Sequence, residues 1–149
     1  IMSLQDVDKK MSKSDSNVNN YISLLDPPDV LRRKIKRAVT DSASEITPES
    51  LNRSGIGNLL SIYAVLNDMQ PAEVVDRFEG QQYSGFKGDL ADSLVAFLEP
   101  FQQRYDKIMG DKGYLTGILD EGSMRARRMA SKTISKVYRK LGFVPAGRS

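Results

Sequence analysis

Residues 86–108 read FKGDLADSLVAFLEPFQQRYDKI, and the spacing of large apolar side chains in this stretch decides the fold. These side chains recur in steps of three and four: Phe86, Leu90, Leu94, Leu98, Phe101, Tyr105 and Ile108. That spacing puts them on one face of a helix, so the stretch predicts one long amphipathic helix. Pro100 removes a backbone donor and should kink this helix. Gly110 and Gly113 are expected to end it.

The rest of the chain has the same helical spacing, with connectors between the periodic segments. A short helix is predicted at 18–25, where Val18, Tyr21, Ile22 and Leu25 share a face. The next is expected to begin at Asp26-Pro27-Pro28-Asp29, with Asp26 as its capping carboxylate. Its predicted buried positions are Val30, Leu31, Ile35, Ala38 and Val39. Further helices are expected at about 55–67, at 71–80 and at about 115–141. The last of these is expected to break at Gly122. Only residues 1–4 alternate, so the predicted fold class is mainly α.

The 149 residues include no histidine, cysteine or tryptophan. A Ser-His-Asp or Cys-His relay, a zinc site, haem ligation and a disulfide framework therefore have no ligands or nucleophiles here. Lysine, arginine, carboxylates and hydroxyls remain, a set suited to holding phosphates. Any catalysis should therefore be electrostatic. No run of eighteen apolar residues is present, which argues against a membrane span.

The net charge of +3 is distributed unevenly. Residues 122–149 carry eight basic residues and no acid: Arg125, Arg127, Arg128, Lys132, Lys136, Arg139, Lys140 and Arg148. The remaining 121 residues therefore sum to 3 − 8 = −5. A second basic cluster occupies 32–37. Polarised charge indicates an anionic partner such as RNA, or else a solvated helix face, and the sequence leaves both readings open.

The polar stretch 6–16 is predicted to be an exposed loop, and it contains Lys10-Met11-Ser12-Lys13-Ser14. Two lysines three residues apart, with hydroxyls and free amides between them, can surround a polyphosphate. A solvated basic turn would have the same composition. A specified five-residue string arises by chance in about one chain of this length in ten thousand.

This string is the KMSKS signature of class I aminoacyl-tRNA synthetases. Its surroundings resemble the tryptophanyl-tRNA synthetase family over essentially the whole chain. The residues that carry the resemblance are Ile1-Met2-Ser3-Leu4, Ser23-Leu24-Leu25-Asp26, 34–41 (KIKRAVTD), 58–63 (NLLSIY), Leu98-Glu99-Pro100 with Arg104-Tyr105, Lys136-Val137-Tyr138, and Gly142-Phe143.

The resemblance implies a Rossmann catalytic domain joined to a bundle-like helical domain that binds the tRNA anticodon. Residues 1–26 would be the end of the catalytic domain, and 27–149 the helical domain, whose last helix returns toward the catalytic part. The implied enzyme is a cytoplasmic homodimer that joins L-tryptophan to ATP, releases pyrophosphate and transfers tryptophan to tRNA(Trp). No metal site is expected in this chain, because Mg²⁺ would arrive with ATP.

By the same resemblance, Lys10 and Lys13 would be the catalytic residues. Met11, Ser12 and Ser14 would complete the ATP-binding set, with the Met11 backbone close to the adenine. Fixed cations would stabilise the charge that builds on departing pyrophosphate.

The departure from the family pattern is the absence of a HIGH-type motif, of βαβ units and of an indole pocket. In the family these elements precede the position of Ile1, so Ile1 looks like a cut inside a longer protein. Unless a second chain supplies them, this chain alone is predicted not to activate tryptophan. The alternative is a non-catalytic, all-helical RNA-binding module. Two structural expectations follow: a loop at 6–16 that is mobile without ATP, and exposed apolar surface at Ile1, Met2, Leu4 and the last helix.

Overall fold

A computed structural model describes residues 1–144 and confirms that the chain is mainly α. The helices in that range are α1 (Pro28–Arg37), α2 (Ser54–Leu66), α3 (Pro71–Phe78), α4 (Tyr83–Gly110) and α5 (Lys112–Leu141). Two 3-10 turns, Val18–Asn20 and Pro48–Asn52, lie in the connectors. Among the described residues, extended pairing is limited to isolated bridges between Met2 and Lys10 and between Glu45 and Gln82.

The chain divides into two compact units, Ile1–Gln103 and a second that begins at Arg104. Within residues 1–144, all buried apolar side chains belong to the first unit. The division at residue 27 that the resemblance implies stays a prediction.

The core of the first unit is built on the apolar face of α4, where Phe86, Leu90, Leu94 and Leu98 are buried as the spacing predicts. Phe86 packs edge-on against Phe78 of α3, with ring centroids 5.1 Å apart. Tyr63 of α2 lies 5.0 Å from Phe78 and 5.8 Å from Phe86, so three helices meet at one aromatic cluster.

The helices predicted at 55–67 and 71–80 are confirmed as α2 and α3. Gly80 follows α3 with φ of +77°, the left-handed geometry that glycine adopts without strain.

The boundary between α4 and α5 differs from the prediction. α4 continues through Pro100 and ends at Gly110, but Gly113 lies inside α5 and does not end a helix. The Asp111 side chain accepts a hydrogen bond from Tyr114 N at 2.9 Å, which starts the new helix one residue earlier than Gly113. α5 also runs unbroken through Gly122, because an exposed glycine costs a long helix only about 1 kcal/mol.

The helix predicted at 18–25 is wrong. Only the 3-10 turn Val18–Asn20 forms, capped by Asn17, and Tyr21 is already extended with φ of −138°. Leu25 N donates to Ser23 Oγ at 3.3 Å, and Ser23 N donates to an Asp26 oxygen at 2.9 Å. These local side-chain bonds compete with helical ones and turn the backbone instead.

The predicted start of α1 is also partly wrong. Its N-cap is Pro27, and Asp26 pairs with Lys34 rather than capping the helix. Lys34 is buried, so the basic cluster is not one solvated face.

The predicted buried positions of α1 are confirmed for Leu31, Ile35 and Ala38. Val30 is half-buried. Val39 lies beyond the helix and is 42% exposed, which corrects its predicted burial.

The expectation of apolar surface near the first residues fails at one position. Ile1 is 58% exposed and Met2 is half-buried, but Leu4 is 1% exposed and belongs to the core with Leu31 and Ile35. Its N–H and C=O bond to Asn20 O and Val39 N, which draws the side chain inward. On α5 the expectation is confirmed, since its large apolar side chains are exposed: Tyr114, Ile118, Leu119, Met124, Met129, Ile134, Val137 and Leu141. None of the helices in residues 1–144 is long and apolar enough to cross a membrane.

Candidate functional site

The loop with the KMSKS string begins at a short antiparallel pairing. Ser3 N donates to Lys9 O at 2.8 Å, and Met11 N donates to Ile1 O at 3.3 Å. These two bonds place Met2 opposite Lys10. The first lysine of the string therefore has a fixed backbone register rather than hanging from a free loop.

The turn before the string holds its own charges together. The Ser3 hydroxyl accepts from the backbone of Gln5 and Asp6, and Lys9 Nζ lies 2.7 Å from an Asp6 carboxylate oxygen. The hydrogen bond that Lys9 donates to Asp6, followed by the charge of Asp6, raises the pKa of Lys9. Lys9 is thus committed to a neighbouring acid.

The string itself faces solvent. Lys10, Ser12, Lys13 and Ser14 are exposed, whereas Met11 is half-buried and packs against the core. Within the described part of the chain, neither Lys10 nor Lys13 forms an ion pair. Met11 therefore anchors a loop that presents two cations and two hydroxyls outward.

Asp15 closes the loop without approaching the exposed lysines closely enough to pair with them. Its carboxylate accepts from Asn20 Nδ2 and from Asn17 N, each at 2.9 Å, and its N–H donates to Ser12 O at 3.2 Å. The hydrogen bond from Asn20, followed by that from Asn17, lowers the pKa of Asp15. Asp15, the acid nearest the string, therefore stabilises the turn instead of pairing with Lys10 or Lys13.

The segment that leaves the loop is fixed on α1 by Lys34. Its ammonium donates to Asp26 at 2.6 Å and to Tyr21 O at 3.0 Å, and it lies 5.0 Å from the centroid of the Tyr21 ring. Gln102 Nε2 of α4 holds the same segment, donating to Leu24 O and Asp26 O. Lys34 thus serves the fold rather than an anionic ligand.

Asn58, which opens the NLLSIY landmark, contacts the base of the loop from α2, a contact that the sequence did not predict. Its carboxamide accepts from Met2 N at 2.8 Å and donates to Met2 O at 3.0 Å. Asn58 is a buried polar residue among the mainly apolar side chains of α2, and that placement is a signal of a structural role.

A basic cleft lies between α1 and α4. It has a volume of about 560 Å³ and is lined by Arg32, Lys36, Ser84, Lys87, Gly88 and Ala91. Arg32 pairs with Asp92, but Lys36 forms no ion pair within residues 1–144. Sequence reasoning had singled out Arg32 and Lys36 but not Lys87, which lies inside the apolar period of α4.

Lys87 is the most buried cation of this cleft. Its Nζ donates to Ala38 O at 2.8 Å and to Thr40 Oγ1 at 3.4 Å, both uncharged acceptors. Burial lowers the pKa of Lys87, because its charge lacks a compensating carboxylate. An anion entering the cleft would supply that compensation.

Basic residues that recur every three or four positions along α5 form a basic stripe, and all of them are exposed: Arg125, Arg128, Lys132, Lys136 and Arg139. Arg125 lies 3.4 Å from Glu121, one turn away, and a shallow groove runs past Ser131, Lys132, Ser135, Lys136 and Arg139. Arg148, the last of the eight basic residues in 122–149, lies outside the described residues. The stripe occupies one helix surface and encloses no cavity comparable to the cleft.

A loop of two exposed lysines and hydroxyls, followed by a helical region with a basic cleft, agrees with the family that the sequence comparisons identify. Residues 1–99 match the family of class I tRNA synthetases for W and Y. The chain belongs to this family.

Similar proteins of this family include tryptophan–tRNA ligases. The chain is 44% identical to that of Clostridium acetobutylicum over 97% of its length, and 46% identical to that of Enterococcus faecalis over 95%. It covers 43% and 42% of those proteins, so it spans less than half the length of the curated relatives it matches. The resemblance to the tryptophanyl-tRNA synthetase family is confirmed.

Solved structures agree. Tryptophanyl-tRNA synthetase from Mycoplasma pneumoniae superposes with a TM-score of 0.72 at 28% identity, over 97% of this chain and 46% of that one. The Campylobacter jejuni enzyme in complex with ADP and tryptophan gives 0.75 at 27% identity, over 96% and 44%.

Proposed function

We propose that this chain provides the ATP loop and the helical RNA-binding part of a tryptophan–tRNA ligase. The observation that carries the proposal is the pair of exposed lysines, Lys10 and Lys13, on a loop whose base is fixed and whose own acid, Asp15, is engaged elsewhere. Family membership supplies the reaction: tryptophan and ATP form an aminoacyl adenylate with loss of pyrophosphate, and the acyl group passes to tRNA(Trp).

Lys10 and Lys13 would bind the phosphates, and Ser12 and Ser14 would donate hydrogen bonds to them. Charge moves onto the leaving pyrophosphate as the bond to the α-phosphorus breaks. Two ammonium groups placed there stabilise the transition state more than the bound substrate.

The loop presents ammonium and hydroxyl groups, which suit phosphate oxygens rather than a metal ion. We therefore assign Mg²⁺ to the nucleotide: bound to ATP, it would neutralise part of the phosphate charge.

The basic cleft of Arg32, Lys36 and Lys87 is the best candidate for contact with tRNA, including its anticodon. It is concave, it combines cations from two helices, and Lys87 has no carboxylate against it within residues 1–144. The α5 stripe would add weaker, sequence-independent attraction. By family membership we further propose a homodimer that works in the cytoplasm.

The sequence contains no histidine and so no HIGH-type motif, and the chain covers less than half of its tryptophan–tRNA ligase relatives. We therefore expect the chain alone to support no tryptophan-dependent pyrophosphate exchange. Activity in the purified 149-residue chain would contradict this part of the proposal.

The ATP-loop role is tested by Lys13→Ala in the natural full-length protein, with Lys9→Ala as the matched control. Lys9 lies four residues away and is already paired with Asp6. Losing a cation that acts in the transition state should slow adenylate formation about a hundredfold or more, with tryptophan affinity little changed. Lys9→Ala should stay within about threefold. Equal, small effects of the two variants would refute the role of Lys13.

The RNA role is tested by Lys36→Gln, with Arg33→Gln as the control, because Arg33 pairs with Asp29 and does not line the cleft. Affinity for tRNA(Trp) is measured across a salt series. Lys36→Gln should weaken binding and reduce the salt slope by about one phosphate contact, whereas the control should not. Steep salt-dependent binding combined with an inert Lys13→Ala would instead favour a non-catalytic RNA-binding module.

A further inference from the structure

The backbone of Met2 has an unusual position at the base of the KMSKS loop. The bonds that pair the two extended segments belong to its neighbours, since Ile1 O and Ser3 N face Met11 N and Lys9 O. Met2 and Lys10 therefore form a non-hydrogen-bonded antiparallel pair. In such a pair the N–H and C=O of each residue point away from the partner strand. Met2 thus presents one donor and one acceptor to the far side.

The Asn58 carboxamide takes the place that a third strand would have on that side. Its Oδ1 accepts from Met2 N at 2.8 Å and its Nδ2 donates to Met2 O at 3.0 Å, so both groups are satisfied by one side chain. Asn58 is 8% exposed, and little water can substitute for it. A buried amide that satisfies two backbone groups at once holds the segment in a single register.

Two glycines in the first turn of α2 lie against neighbouring backbone, and Gly55 is the one that brings the helix close to Val39. A Cβ on Gly55 would lie 2.7 Å from Val39 O, and one on Gly57 would lie 2.6 Å from Leu51 O. Val39 is itself bonded to Leu4, through Val39 N to Leu4 O at 2.8 Å. The first turn of α2 therefore lies against the Val39 backbone, which is hydrogen-bonded to Leu4, and Asn58 follows one turn after Gly55 on the same face.

We infer that Asn58 is a positioning residue for the ATP loop, acting through the backbone of Met2 to fix the register of Lys10. This inference rests on the proposed function for its catalytic consequence, but its structural part stands on the hydrogen bonds alone. Asn58 then couples the helical part to the loop across 56 positions, in addition to the backbone bond between Val39 and Leu4.

The structural part is tested by amide hydrogen exchange on the 149-residue chain, comparing Asn58→Ala with Asn67→Ala. Asn67 lies at the other end of α2, and its amide bonds to Tyr63 O at 2.9 Å without touching the loop. Losing two hydrogen bonds should speed exchange at Met2, Ser3 and Met11 by about tenfold or more. Asn67→Ala should leave these amides unchanged. Equal protection of the loop base in both variants would overturn the inference.

Asn58→Asp serves as a second variant if Asn58→Ala fails to fold. It keeps the side-chain volume and an acceptor for Met2 N, but it sets a carboxylate against Met2 O. It should therefore loosen the loop base as well. Full protection in Asn58→Asp would mean that volume, not hydrogen bonding, holds the segment, and would overturn the inference.

The catalytic part is tested in the natural full-length protein by adenylate formation. Asn58→Ala should lower kcat for ATP-dependent activation by about tenfold, with the KM for tryptophan unchanged and Asn67→Ala within about twofold of the parent. Lys13→Ala separates the positioning role of Asn58 from the proposed function of the ATP loop. If Lys13→Ala is impaired while Asn58→Ala is normal, the positioning role is refuted and the proposed function survives. If Lys13→Ala is itself inert, the proposed function fails, and the exchange result still decides whether Asn58 fixes the loop.

Discussion

The ion pair of Lys34 and Asp26 allows the sharpest stability prediction. The Lys34 side chain is 4% exposed and that of Asp26 is 16% exposed, with 2.6 Å between Nζ and Oδ2. Asp26→Asn keeps an acceptor for Ser23 N but removes the negative charge. The buried ammonium would then have only uncharged partners: the amide oxygen at position 26, Tyr21 O and the Tyr21 ring. Leaving one charge of a buried pair uncompensated costs about 3–5 kcal/mol, so the free energy of unfolding should fall by that amount.

Urea unfolding followed by circular dichroism provides the measurement, and α1 provides its own control. Arg33 pairs with Asp29 one turn away at 3.8 Å, and both side chains are at least half exposed. Arg33→Ala should therefore cost about 0.5 kcal/mol or less.

A double variant tests the cause as well as the size of the effect. Lys34→Met in the Asp26→Asn background removes the stranded ammonium, so the double variant should be more stable than Asp26→Asn alone. If Asp26→Asn proves as mild as Arg33→Ala, or if Lys34→Met restores nothing, the reasoning from burial is refuted.

Two further predictions use a glycine pair and one carboxylate. Gly55→Ala should lower the free energy of unfolding by about 1–3 kcal/mol, because the new Cβ would lie 2.7 Å from the Val39 backbone. Gly117→Ala places its Cβ in open space on α5 and should raise helix stability by about 0.5–1 kcal/mol. Thermal melts compare the two, and a harmless Gly55→Ala would contradict the close approach of α2. The lowered pKa of Asp15 means that folding favours the ionised carboxylate. The stability that this carboxylate contributes should be fully present above pH 3.8, its ordinary pKa, and should be lost as the pH falls through the lower pKa of the folded state. Stability measured against pH should show this loss in the parent and not in Asp15→Asn, and identical profiles would contradict it.

The helices were predictable because periodicity reports which side of a segment faces the core. α4 illustrates this as far as the core extends: Phe86, Leu90, Leu94 and Leu98 are buried, whereas Phe101, Tyr105 and Ile108 on the same predicted face are exposed. The KMSKS loop was predictable for a different reason, since a contiguous string needs no tertiary information.

What the sequence did not reveal depends on contacts between distant residues. Asn58 satisfies Met2 across 56 positions, and Lys87 reaches Ala38 O across 49. The failed helix at 18–25 had the right apolar spacing, but the side chains of Asn17, Ser23 and Asp26 bond to nearby backbone groups and outcompete the helix. Apolar spacing indicates which residues can be buried, but it does not show whether local side-chain hydrogen bonds will replace the helical ones.

The positive charges of this chain separate into two groups once their partners are known. Lys9 and Lys34 are paired with carboxylates and hold segments of the fold together. Within residues 1–144, Lys10, Lys13 and Lys87 have no such partner, and they lie at the loop and in the cleft. Net charge cannot distinguish these groups, because each lysine contributes +1 to either. Among the described residues, unpaired lysines also lie on α5, where Lys132 and Lys136 are exposed, so the absence of an ion pair does not by itself mark a site. Lys87 differs because it is half-buried against uncharged acceptors, and an anionic ligand in the cleft would lower the electrostatic energy of its charge.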